Sequence, residues 1–190
     1  MFQTYRYVGP KAIARRHAGA SPGLRVQSPE DVLRWVRQTQ QQPDASQTVT
    51  ATFVVDEEGV LRIADRRSEH VACAGGKPVL SAGEMAFRIS PAPLRVSWVT
   101  NQSTGYCPEP ESWPAVQAAL GRAGIPAPDG FSQEFIFRHC PACRAINIVK
   151  DDQFECGVCA TPLPREWNLG VEDVAERASA NGQDSGVRRS

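Results

Sequence analysis

The sequence predicts an α+β fold: a small, mostly antiparallel sheet with flanking helices, followed by a compact C-terminal module built around four cysteines. Three observations carry this. Two β-rich runs, Thr48 to Val55 and Val60 to Ala64, are joined by the short turn Asp56-Glu57-Glu58-Gly59 and read as a hairpin. Two segments open with helix-start chemistry, at Ser28-Pro29 and at Ser112-Trp113-Pro114. Cys140, Cys143, Cys156 and Cys159 form two Cys-x-x-Cys pairs with twelve residues between them.

Taken in chain order, Thr4 to Val8 alternates and predicts a short strand, closed by the Gly9-Pro10 turn and followed by a short helix around Lys11 to His17. Gly19 to Gly23 reads as loop. At Ser28-Pro29-Glu30-Asp31 a Ser stands at the cap and a Pro at the first helical position. Asp31, three residues after the cap, can reach back to an amide that the helix leaves unpaired. Val32, Leu33, Trp35 and Val36 then fall on one side, and Pro43 closes the segment after a Gln-rich run. The hairpin follows, with Gly59 supplying a positive φ. Gly83 to Ile89 and Leu94 to Thr100 predict two more strands, separated by Ser90-Pro91-Ala92-Pro93. Ser112 caps a helix from Trp113 to Leu120, ended by Gly121 or Gly124.

These elements divide the chain into a body, 1–130, and a four-cysteine module, 131–169. Within the body lie a basic N-terminal segment (1–45), a core (46–124) and a Pro/Gly hinge (124–130, GIPAPDG). Residues 170–190 are small and polar and predict a disordered tail, because so little apolar surface does not offset the entropy of ordering. No internal repeat is present.

Composition narrows the function classes. A chain of 190 residues allows one ordinary domain and a small appended module, or two small domains, but not two large ones. No run approaches the roughly 18 apolar residues that a membrane span needs, and the start, MFQTYRYVGPKAIARR, has no apolar signal region. A cytoplasmic location is expected. Lysine is rare beside arginine, and Ala and Pro are frequent, which points to a GC-rich bacterial genome. The formal net charge is +0, so no global field favours nucleic acid. Residues 1–37 hold seven basic and two acidic side chains, a local excess of +5, but Gly9, Pro10, Gly19, Pro22 and Gly23 break the segment before it can form one stripe.

Each Cys-x-x-Cys pair can turn a tight knuckle with both thiolates aimed at one ion, and twelve residues suffice for a hairpin between knuckles. Ala145 to Val149 is β-prone, Lys150-Asp151-Asp152-Gln153 is a turn, and Phe154-Glu155 leads to the second knuckle. On these residues the module resembles the zinc-ribbon families, over about thirty residues from about Phe135 to Trp167. Arg144 and Ala160 stand where those families often carry Gly. The resemblance implies one structural zinc per chain held by Cys140, Cys143, Cys156 and Cys159. A disulfide reading fits a reducing cytoplasm poorly. From Arg138 to Asn168 four basic residues balance four acidic ones. Four thiolates and one divalent ion therefore leave the module at about −2, which disfavours phosphate.

Two stretches of the body are unlike ordinary surface loop: Ser68 to Gly76 followed by Glu84, and Thr100 to Pro110 (TNQSTGYCPEP). They hold the two remaining cysteines. One reading makes His70, Cys73 and Cys107 ligands of a catalytic metal, with Glu84 or Glu109 as proton shuttle. It rests on a resemblance of the strand and helix arrangement to the zinc nucleobase deaminases. The chain offers His70-x-x-Cys73 and a lone Cys107 where that family has His-x-Glu and Pro-Cys-x-x-Cys. A second reading makes Cys73 or Cys107 a hydrolase nucleophile activated by His70. The third is non-catalytic: the cysteines are small core residues, His70 is a hydrogen-bonded structural residue, and the loop around Asn101, Gln102, Tyr106 and Glu109 recognises a partner. This third reading is adopted. The chain is expected to be a cytoplasmic adaptor or regulatory subunit that contacts another protein, with nucleic-acid binding the weakest alternative.

Overall fold

The structure, a computed structural model, describes residues 2–170. Its element order is α1 (Lys11–Arg16), β1 (Leu24–Val26), α2 (Pro29–Gln38), β2 (Thr48–Asp56), β3 (Leu61–Asp65), α3 (His70–Cys73), β4 (Val79–Arg88), β5 (Arg95–Val99), α4 (Trp113–Arg122), β6 (Ile136–His139) and β7 (Ile146–Val149). A five-stranded sheet runs in the order β1-β3-β2-β4-β5, with every pair antiparallel, and β6 and β7 form a separate two-stranded sheet. The architecture is the expected α+β class.

The core follows from strand alternation. Val49, Ala51, Phe53 and Val55 on β2, with Leu61 and Ile63 on β3 and Met85 and Phe87 on β4, point to one face. There they meet Val32, Trp35 and Val36 of α2 and Trp113, Val116, Ala119 and Leu120 of α4. Val54 and Ala82 point the other way, into a second cluster with Tyr5, Val71, Cys73 and Tyr106. Each such fully buried aliphatic or aromatic side chain contributes about 1.5–3 kcal/mol over its exposed state.

Local chemistry fixes the ends. The Asp31 carboxylate accepts from the Gln27 and Ser28 backbone amides at 2.9 and 3.1 Å, as its spacing requires. At the β2–β3 turn, Asp56 Oδ1 accepts from the Glu58 and Val60 amides and Gly59 takes φ 75°. The Asp56 Oδ2 atom takes Arg62 Nε at 2.8 Å, and Arg122 donates to the Gly59 carbonyl. Gly83 is needed for close approach: a Cβ there would lie 1.9 Å from the Thr100 carbonyl oxygen.

Several elements differ from expectation. The strand over Thr4 to Val8 reduces to one bridge between Tyr5 and Val79, because Val8 N turns away to donate to Gly105 O at 2.7 Å. Leu24–Val26 forms an edge strand against β3, and His70–Cys73 forms one helical turn. Both are too short to carry a period. The strand expected from Gly83 starts at Val79, where neighbours buried on both faces hide the alternation. Ser112 makes no side-chain cap bond. Its hydroxyl pairs instead with Ser81 Oγ at 3.0 Å, and a 3-10 turn, Pro110–Ser112, leads into α4. In the module, β7 pairs with β6, while Phe154 and Glu155 meet residues 162 and 163.

The 124–130 segment lies along the body, with the Pro126 carbonyl accepting from Val96 N at 2.8 Å and Ile125 in the core. The expected tail, apart from Gly170, lies outside the described residues. Among those described, no helix is long and apolar enough to cross a membrane.

Candidate metal centre

The two knuckles repeat one geometry. Cys140 N donates to Ala145 O and Arg144 N returns to Cys140 O; likewise Cys156 N donates to Thr161 O and Ala160 N returns to Cys156 O, all at 2.9 or 3.0 Å. Such a turn needs a left-handed residue just after the second cysteine of each pair. Arg144 at φ 62° and Ala160 at φ 57° supply it. These are the positions at which the sequence lacks the usual glycine, so the backbone keeps the ribbon shape despite the side chains.

The sulfurs converge. The ligand atoms of Cys140, Cys143, Cys156 and Cys159 all lie within 4.8 Å of one another, and the Cys140–Cys159 and Cys143–Cys156 sulfurs are each 3.6 Å apart. A tetrahedral ion with bonds of about 2.3 Å requires sulfur separations of about 3.8 Å, so the four-cysteine cluster lies close to the spacing that such an ion needs. Among the described residues, no other group of three or more histidines, cysteines and carboxylates gathers at such distance. Hydrogen bonds favour the thiolate at Cys156 and Cys159, whereas at Cys143 the Ala145 amide lowers the thiol but burial and the neighbouring sulfurs together raise it. The Val158 amide lies 3.4 Å from Cys156 Sγ and is the first cause pulling that thiol down to about 6. At Cys159 the Thr161 hydroxyl, 3.3 Å from Sγ, is the main influence lowering the thiol, with the Thr161 amide adding to it.

Non-glycine residues in the left-handed region cost about 1–2 kcal/mol, and glycine returns about half of that in unfolded-chain entropy. Ala160→Gly is therefore expected to hold the metal as tightly as the native chain or a few-fold more tightly in a chelator competition. Weaker binding would mean that the second knuckle does not need its left-handed residue.

The body residues singled out in the sequence fall into separate places. His70 donates from Nε2 to Gly83 O, 3.0 Å away, because a carbonyl oxygen only accepts and the nitrogen must therefore carry the proton. Burial lowers the His70 pKa, with the Gly83 bond opposing. Cys73 is buried beside the Arg62 carbonyl, at 3.7 Å, and burial pushes its thiol up to about 12. Cys107 lies in a different cluster, with Phe137 and Leu169, and burial pushes it up to about 12 as well. Glu84 pairs with Arg66 at 3.6 Å. Tyr106 is buried in the second cluster and donates to Lys77 O at 2.8 Å, so it is a core residue rather than a surface contact. Gln102 is exposed, whereas Asn101 is fully buried.

Glu109 and Asn101 work across the boundary with the module. Arg138, only 4% exposed, donates to Glu109 Oε1 at 2.7 Å and twice to the Arg165 carbonyl. Burial raises the Glu109 pKa and the Arg138 guanidinium opposes it. Asn101 bonds both the amide and the carbonyl of Phe135, and Trp167 Nε1 donates to Cys107 O at 2.9 Å. Sequence reasoning missed Arg138, Phe135 and Trp167 as partners, since no local pattern marks residues that meet only across about 30 to 60 positions. No protein-family model matches the chain, and no curated protein or solved structure matches it either.

Proposed function

We propose that the chain is a non-enzymatic interaction protein, an adaptor or regulatory subunit, whose module is a ribbon built on one structural zinc ion. The four thiolates complete the tetrahedral shell and leave no position for water or substrate, the pattern of structural rather than catalytic zinc. When bound, the ion supplies cross-linking between the two knuckles. Cys140 and Cys156 hold it from the buried side, and Cys143 and Cys159 close it toward solvent.

The observation that carries the interaction reading is an apolar face on the small sheet. Ile146 and Ile148 of β7 remain 39% and 37% exposed. With Val8, Pro10 and Phe137 they line an open groove of about 460 Å³ that has no charged lining residue. Exposed, contiguous apolar surface of this kind marks protein contact sites. The burial of both body thiols supports the same reading, because a nucleophilic cysteine needs access and a depressed pKa.

The test is a photo-crosslinking residue at position 148, followed by affinity measurement with the protein it captures. Ile148→Lys is expected to weaken that affinity at least about tenfold, corresponding to about 1.4 kcal/mol, with metal content unchanged. Equal affinity would remove this face. A fast-reacting Cys107 whose thiolate titrates below the ordinary value of about 8.5 would instead restore an enzymatic reading.

A further inference from the structure

The Thr100–Pro110 loop of the body is held from the module side by three independent fastenings. Asn101, 0% exposed, donates through Nδ2 to Phe135 O and to Pro108 O, both at 2.7 Å, while its Oδ1 accepts from Phe135 N at 2.8 Å. The loop's far end is pinned by the Glu109–Arg138 pair, with the two side chains 12% and 5% exposed. Between them, Trp167 donates to the Cys107 carbonyl and stands edge-on to Tyr5 at 5.4 Å.

Cys107 itself sits at φ 48°. A non-glycine residue in that region costs about 1–2 kcal/mol and persists only where its surroundings over-determine it. Here the surroundings are Phe137, Leu169 and Trp167 of the module, together with Val8 of the body and the loop's own Ser103 and Thr104 carbonyls.

The module has little to hold it without an ion. Its own cluster is Cys140, Cys156 and Leu163, with Ala145, Val149 and Phe154 partly buried against it, and two of the three central members are metal ligands. In modules this small the metal-binding free energy is the folding free energy. Arg138 stands two residues before Cys140 in β6, and Trp167 follows the second knuckle, so the fastenings on the loop depend on the fold that the ion maintains.

We propose that metal occupancy of the four-cysteine site gates the Thr100–Pro110 loop: the loaded chain holds the loop in its described conformation, and loss of the ion releases it. The exposed side chains at its tip, Gln102 and Thr104, are the surface whose presentation changes. This goes beyond the interaction reading and does not depend on it, since metal state sets loop conformation whatever the loop binds. Coupling of this kind is reciprocal. The fastenings must therefore raise metal affinity, although Asn101 and Glu109 are not ligands.

The experiment compares the full chain loaded with zinc and stripped by a chelator, with zinc content measured on the same samples. Alkylation by a thiol reagent is read separately at Cys107 and Cys73 by peptide mass. Cys107 is expected to react at least about tenfold faster in the stripped chain, because local opening exposes it. Cys73, bonded to the Arg62 carbonyl in a cluster of body residues on which Trp167 alone of the module packs, is expected to change less than about twofold. Unchanged Cys107 reactivity overturns the proposal. A parallel rise at both cysteines overturns it too, since it reports global unfolding, as does a chain that takes up no zinc. Reciprocity is tested with Glu109→Gln, which keeps the side-chain shape: zinc is expected to bind several-fold more weakly, and unchanged binding contradicts the coupling.

Discussion

Replacing Cys143 by Ser is expected to abolish stable metal binding and the fold of residues 135–169. Apparent binding free energies of structural zinc sites are on the order of 10–16 kcal/mol, far above what the small cluster around Leu163 supplies. After dialysis the Cys143→Ser chain should retain no zinc, and the amides of β6 and β7 should exchange with solvent freely. The five-stranded sheet has a separate, larger core built on Phe53, Ile63, Met85 and Phe87, so its central amides should stay protected. Retained zinc at native stoichiometry would mean that Cys143 is not a ligand. Simultaneous loss of protection across β2 and β4 would mean that the body has no stability of its own.

Arg138→Met is expected to be the most damaging substitution outside the four cysteines. It leaves the Glu109 carboxylate without its partner and the Arg165 carbonyl without its donors, in a place where both residues of the pair are nearly excluded from water. Breaking a buried ion pair from one side costs about 3–5 kcal/mol. The double variant Arg138→Met/Glu109→Gln should recover much of that loss, because the buried unpaired charge is gone. Denaturant unfolding of the four chains of this cycle checks the claim. Additive losses would show that the two side chains do not act as a pair.

The parts legible in the sequence were those whose cause is local. Asp31 three residues past Ser28, the Asp56-to-Gly59 turn and the two Cys-x-x-Cys pairs each carry their partner within a few residues, and the structure keeps each as expected. β1 and α3 were missed because three and four residues hold no period. Ser112 carried a correct boundary for the wrong reason: α4 starts where expected, but the hydroxyl serves Ser81, 31 residues away. The same limit applies to the site. Cysteine spacing identified the four residues whose sulfurs converge, whereas Arg138 entered only the charge balance of the module, and its burial against Glu109 depends on how the module packs on the body. Tyr106 was read as part of a recognition loop because it lies in the Thr100–Pro110 segment that holds Cys107. Its ring is instead buried edge-on to Tyr7, with centroids 5.5 Å apart.

The account rests on one closed metal site that is continuous with the fold. X-ray absorption together with metal analysis of the purified wild-type chain tests it most directly. The expected result is one zinc per chain with four sulfur neighbours near 2.3 Å. No bound metal, two ions per chain, or a shell containing oxygen or nitrogen would contradict it.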